Sequence, residues 1–130
     1  MTLNEPKFIT REFIKLNPHV LFVFGDNDER WGYGGMAKEF RGEPNAIGIR
    51  TKKAPRTDDD SFYTDDEFEL NVRKIDIDIA AIACYMGMER YTVLYIPEGI
   101  GKGLAKLEEK APETYRYLEE RLNQLRGQFI

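Results

Sequence analysis

The chain has 130 residues and a mass of 15.1 kDa, about the length of one domain, so a single domain over residues 1–130 is expected. Its 42% hydrophobic and 12% aromatic content allows enough burial to offset chain entropy, which excludes disordered and fibrous classes. A net charge of −4 argues against a surface generally coated by nucleic acid, and the absence of a long apolar run or a signal-like start leads to the expectation of a soluble, cytoplasmic protein with no membrane partner.

In chain order, Thr10 with Phe13 and Ile14 predicts one or two helical turns, stopped at Asn17-Pro18 because the residue before proline is pushed out of the α region. Val20 to Phe24 is continuously apolar and β-forming, the pattern of a strand buried on both faces, and Gly25 ends it. Asp26–Gly35 follows as a loop rich in Gly, Asp and Asn, and Met36–Arg41 has a short helical pattern. Ala46–Thr51 predicts a second strand, and Lys52–Phe62 a polar loop interrupted by Pro55.

Thr64 followed by Glu67 has the spacing of a capping box and predicts a helix start. Phe68, Val72, Ile75, Ile79, Ile82 and Ala83 continue it as an apolar stripe to about Tyr85, with Gly87 as the stop. Tyr91–Ile96 predicts a third strand, and Glu98–Leu107 a second glycine loop with Gly99, Gly101 and Gly103 at alternate positions. Pro112 suits a first helical turn, and Tyr115, Leu118, Leu122 and Leu125 mark a final amphipathic helix. Three strands leave sheet edges to protect, so short strands at Lys7–Ile9 and Gln128–Ile130, or a homo-oligomer, are expected.

Strands separated by helices imply right-handed crossovers and an α/β class with a small, mainly parallel sheet between helical layers. Ligands of such sheets bind beyond the carboxyl ends of the strands, where both glycine loops fall. Such loops expose backbone N–H groups suited to phosphate, although neither contains GxxxxGK followed by Ser or Thr, nor GxGxxG in register. Asp26 and Asn27 end strand one, where they are placed to read a base or a ribose hydroxyl. Lys52, after strand two, and Lys102, inside the second loop, are candidates to contact phosphate as point charges.

Other chemistry is sparse. One cysteine and one histidine allow neither an internal disulfide nor an ordinary four-ligand zinc site, and no metal or cofactor is expected. His19 lies at the amino end of strand one, away from the loops; Ser61 lacks a nucleophile-elbow context; Asp58–Asp60 lacks calcium-loop spacing; and Cys84 is expected to be packed in the long helix. Charge is uneven. Arg30 to Arg56 holds seven bases against two acids, a local excess of +5, whereas Thr57 to Glu69 holds seven acids and no base. A basic middle beside an acidic loop suits a small anion better than a long polyanion.

Three segments in order resemble the ADP-ribose-binding macrodomains, especially the compact terminal ADP-ribose glycohydrolase type and the related antitoxin macrodomains. DNDERWGYGGMAKEFRG is similar to their glycine-rich stretch entering a helix. GIRTKKAPRTDDDSFYTDDEFELNV is similar to their strand ending in Thr-Lys, polar loop and long helix. IPEGIGKGLAKLEEKAPETYRYLEERL is similar to their second loop and final helix. The run VFG-Asp-Asn also resembles uncharacterised macrodomain-like phage and bacterial proteins.

The resemblance implies a macrodomain-like three-layer α/β/α fold and a crevice for ADP-ribose or a related phosphorylated nucleoside, free or carried on an ADP-ribosylated macromolecule. Gly34, Gly35 and Met36 would stand beside the distal ribose, and Ile100, Gly101, Lys102, Gly103 and Leu104 would wrap the diphosphate, with the Gly99–Gly103 amides stabilising phosphate charge. The catalytic lysine of the hydrolase type maps to Lys52. The aspartate that follows Gly-Leu in that type is Ala105 here, which removes the expected acid/base partner, so binding is favoured over efficient hydrolysis; Glu98, Asp26 or Asp28 would have to replace it. The alternative from another class is a protein-interaction module, such as a phage accessory factor, with Trp31 and Tyr33 as contact points, residues equally suited to stack an adenine. A third is single-stranded nucleic-acid binding through the basic middle.

Overall fold

The computed structural model describes residues 8–129. Helix α1 (Arg11–Leu16) leads into β1 (Val20–Asn27); α2 (Ala37–Phe40) and β2 (Ala46–Lys52) follow. The long helix α3 (Phe68–Met86) precedes β3 (Val93–Tyr95), and α4 (Leu107–Lys110) and α5 (Pro112–Gln128) complete the chain. The three strands are all parallel in the order β2-β1-β3, so β1 is central and pairs on both sides.

Period-two alternation along β1 assigns its side chains to two cores. Val20, Phe22 and Phe24 pack with Ile14, Ala37 and Phe40 beneath α1 and α2, where Phe22 makes ring contacts with Phe13, Phe40 and Tyr95. Leu21 and Val23 face the opposite way, into a larger cluster with Ile49, the α3 residues Ile75, Ile79 and Ile82, and the α5 residues Leu118, Leu122 and Leu125. Helices therefore cover both sheet faces, an α/β arrangement with a small parallel sheet. Among the described residues no helix is long and apolar enough to cross a membrane.

Several local details depart from the sequence expectations. Strand β1 does not stop at Gly25 but runs to Asn27, with a register shift between Asp26 and Asn27 opposite β2. Strand β3 spans three residues instead of six; Tyr91 is buried instead by its own contacts, its hydroxyl donating to the Pro44 carbonyl at 3.1 Å. Phe8 and Ile9 form no strand, α5 extends through Gln128 with Phe129 against the core, and Lys7 and Ile130 lie outside the described residues. Cys84 is exposed, because the stripe buried by α3 runs through Asn71, Ile75, Asp78, Ile79 and Ile82. Leu70 and Ile77 also face outward on this helix, at 43% and 61% exposure.

The capping box does not form. Thr64 makes no side-chain cap; the 3₁₀ turn Asp65–Glu67 leads into α3, and the Glu67 carboxylate meets Lys53 at 2.5 Å. Asp65 caps a different helix. Its carboxylate accepts from the amides of Glu113 and Thr114 at 2.9 and 3.0 Å and from the Thr114 hydroxyl at 2.8 Å, joining the entry of α3 to the first turn of α5. Although burial works in the other direction, these bonds and the nearby Arg116 hold the Asp65 carboxyl below its ordinary pKa.

Asp65→Ala is expected to lower stability by ~1–2 kcal/mol in urea denaturation, the usual cost of a lost helix cap. Because the folded carboxyl titrates below the unfolded one, its contribution is complete above the ordinary carboxylate pKa and disappears as pH falls through the lowered value. The variant should therefore lose stability less steeply than wild type on acidification.

Candidate functional site

The carboxyl ends of the strands open into a cleft of about 410 Å³. Its floor comes from Gly25, Asp26 and Asn27 of β1 and from Thr51 and Lys52 of β2; one wall is the segment 31–37 and the other the segment 99–105. Every residue expected to bind ligand lies here: Asp26, Asn27, Gly34, Gly35 and Met36 with Gly99, Ile100, Gly101, Lys102, Gly103 and Leu104, and Lys52 between the two sets. The glycine loops also touch. A Cβ built on Gly34 would stand 3.1 Å from Leu104 Cδ1, and one on Gly99 would stand 4.0 Å from Met36 Cε.

The second loop is anchored by Ile100, which is 1% exposed, and by Gly101. Gly101 has φ +90°, and a Cβ there would meet Leu118, Leu107 and Tyr115 at 3.1–3.3 Å, so only glycine lets the loop lie this close to α5. The loop folds on itself through Lys102 N–H to the Gly99 carbonyl at 2.9 Å and Leu107 N–H to the Gly101 carbonyl at 2.7 Å. The amides of Ile100, Gly101, Gly103 and Leu104 donate to no protein acceptor among the described residues.

Lys52 is 8% exposed, yet its ammonium has no hydrogen bond or ion pair among the described residues; its closest companion is the Phe62 ring, with Nζ 4.8 Å from the centroid. Lys110 lies at the same distance from that ring. Burial pushes the Lys52 pKa below its ordinary value and Lys106 adds to this, outweighing the pull of Asp58. Lys102, at the other rim, is exposed, with Nζ 3.8 Å from Glu108 and 6.0 Å from the Tyr115 ring centroid. With Arg41, three cations and one carboxylate line the cleft.

That carboxylate, Asp26, is not available to a ligand in the way its position suggested. Its side chain is 3% exposed and is held by Arg41, by Arg30 Nη1 at 3.3 Å and by the Asn27 amide at 2.8 Å. Asn27 is equally committed: Nδ2 donates to the Trp31 carbonyl at 2.9 Å, and Oδ1 accepts from the Glu29 amide at 3.0 Å. Arg41 Nε donates to the Gly32 carbonyl at 2.7 Å. Both strand-end residues thus shape the first loop. Arg30, with φ +59°, continues the network to Asp78 of α3 at 2.8 Å, and Arg50 meets Asp78 from β2.

The remaining carboxylates considered for acid/base work stand elsewhere. Asp28 accepts from the Tyr63 hydroxyl at 2.5 Å and pairs with Lys74 at 2.6 Å; burial, then the Asp28 bond, pushes the Tyr63 pKa upward. Glu98 borders a separate groove on the far side of Gly35 and Met36, and Ala105 itself lines the cleft. Ser61 is buried and donates to Asp58 at 2.7 Å, and His19 gives its backbone carbonyl to Thr92. Among the described residues no acidic, His or Cys cluster is suited to a metal. The charge runs resolve into local pairs, including Lys53 with Glu67 and Arg56 with Glu29.

Sequence reasoning passed over Thr51, Arg41 and Pro55 as lining residues. Thr51 was legible as the neighbour of Lys52 at a strand end, whereas nothing local in the sequence marks Arg41. Gly48 was also passed over. A Cβ on Gly48 would stand 2.6 Å from Asp26 Oδ2, so this strand glycine makes room for the buried carboxylate. Gly48→Ala is expected to cost ~1–3 kcal/mol, the range for overpacking, with the denaturation midpoint falling at unchanged slope in urea.

No curated protein and no solved structure matched the chain. A family of unknown function (DUF7831) matches residues 4–121. With nearly the whole sequence covered in one continuous stretch, the chain belongs to the DUF7831 family.

Proposed function

We propose that the cleft binds ADP-ribose or a related phosphorylated nucleoside, as a binder and not as an efficient hydrolase. The carrying observation is that Lys52, whose ammonium has no hydrogen bond or ion pair among the described residues, lines the same cleft as a loop in which the amides of Ile100, Gly101, Gly103 and Leu104 donate to no protein acceptor among the described residues. Donors and a cation without protein partners are free to bond an incoming anion, and a diphosphate supplies both acceptor oxygens and counter-charge. Three cations against one carboxylate give the lining the matching sign, although the whole chain is acidic. In this reading the amides of Ile100, Gly101, Gly103 and Leu104 and the Lys52 side chain hold the diphosphate, Gly34, Gly35 and Met36 border the distal ribose, and Lys102 adds charge at the rim.

Weak hydrolysis follows from the carboxylates. The one that lines the cleft, Asp26, is held by two arginines, while Asp58, whose charge acts on Lys52, is bonded to Ser61 and does not line the cleft, so neither is placed as a free general acid or base. The likeness of the three sequence segments to ADP-ribose-binding macrodomains supports the same ligand class. A free nucleotide and the same group carried on a macromolecule present an identical diphosphate to the loops.

Calorimetric titration with ADP-ribose tests the reading. Wild type should release or absorb heat saturably, and Lys52→Met, which keeps the buried stem, should bind at least tenfold more weakly, about 1.4 kcal/mol. The absence of both heat and a thermal shift at millimolar ligand would refute it. Affinity should fall as pH rises through the lowered Lys52 pKa, because only the ammonium attracts phosphate, and Lys52→Met should lack this alkaline limb. Incubation with ADP-ribosylated protein or DNA should show no release beyond that given by the variant.

A further inference from the structure

We propose that the cleft holds the base of its nucleotide by stacking on Trp31 and Tyr33 and does not read the edge of the base, so that it accepts nucleoside diphosphates regardless of base. This inference rests on the nucleotide reading above and adds a substrate class to it.

Discriminating one base from another requires free donors and acceptors placed against its edge. The side chains best placed for that at the end of the central strand are Asp26 and Asn27, and both are already satisfied. Asp26 is enclosed by Arg41, Arg30 and the Asn27 amide, and Asn27 uses its side-chain nitrogen on Trp31 and its oxygen on Glu29. No other carboxylate or carboxamide lines the cleft among the described residues.

The same bonds present an alternative surface. Asn27 holds the Trp31 carbonyl and Arg41 holds the Gly32 carbonyl, which fixes the segment carrying Trp31 and Tyr33. Trp31 Nε1 donates to Glu29 at 2.8 Å, and Glu29 in turn meets Arg56 at 2.7 Å. Both residues line the cleft, yet they are 56% and 66% exposed, an unusual amount of aromatic surface to leave in water beside a pocket. Every base has a π-face, so a ring platform is tolerant of sequence where an edge-reading carboxylate is not. Asp26 and Asn27 are positioning residues here, acting through the aromatics.

The test compares ADP, GDP, UDP, CDP and inorganic pyrophosphate by calorimetry against wild type and a Trp31→Ala/Tyr33→Ala double variant. ADP and GDP have similar stacking area but opposed donor and acceptor patterns, so wild type should bind them within about threefold, with the smaller pyrimidines somewhat weaker. The double variant should lose about tenfold for every nucleotide and nothing for pyrophosphate. A preference for ADP over GDP of tenfold or more overturns the inference and leaves the nucleotide reading standing. Unchanged nucleotide affinity in the double variant overturns it as well. If neither pyrophosphate nor any nucleotide binds wild type, the nucleotide reading itself fails and the inference with it. Because both side chains are exposed and outside the core, the variant should fold, as its unchanged melting temperature would verify.

Discussion

A carboxylate buried at the end of the central strand needs more counter-charge than one neighbour can supply. Asp26 receives it from Arg41 and Arg30, and the surrounding chain is arranged to let this happen. β2 carries a glycine at position 48, directly beside the carboxylate, and Arg30 adopts a left-handed backbone that turns its guanidinium onto the Gly48 carbonyl at 3.0 Å. Arg30 then continues to Asp78, which Arg50 also reaches, so the network ties both strands and the long helix to one loop. Removing one member of such a set would leave a charge stranded in the interior, which is far more costly than the intact pair is favourable.

The cleft inherits its form from this arrangement. With Asp26 and Asn27 committed internally, the polar groups that remain open are cationic or N–H in character: Lys52, Lys102 and the amides of the second loop. Under the proposed reading, these are the groups that would meet an acceptor-rich, negatively charged ligand. The acidic run after Thr57 does not cancel it, since Asp58 is bonded to Ser61, Asp65 caps α5 and Glu67 pairs with Lys53.

Most of the architecture was legible in the residue order. Continuous β-formers at Val20–Phe24, alternation at Ala46–Thr51 and the stripe from Phe68 to Ile82 each report a local period, and local periods survive folding when a single core selects them. Parallel topology then places both glycine loops at one sheet edge without further information. What escaped depends on partners distant along the chain. The spacing of Thr64 and Glu67 points to a cap on the helix that follows, yet the capping carboxylate is Asp65 and the helix it caps begins 48 residues away, because Thr114 and Glu113 arrive there through tertiary packing. The sequence presents Asp26 as a free reader because its saturation comes from Arg41, fifteen positions later, and no spacing rule links a strand end to that arginine. Cys84 lies about half a turn round α3 from the buried stripe, on the outward face it shares with Leu70 and Ile77, so proximity along the chain to apolar residues was the wrong guide and the helical period the right one.

Leu104 and Met36, which bring the two loops together, also determine how the mouth of the cleft responds to its contents. Both are unbranched at Cβ and end in rotatable apolar tips, and Leu104 is more than half exposed. Rotation about a few side-chain bonds is enough to widen or narrow the opening, while the floor, formed by strand ends locked in ion pairs, stays where it is. The molecule therefore joins a rigid base to a compliant rim, and guests differing in girth meet the same charges at the bottom.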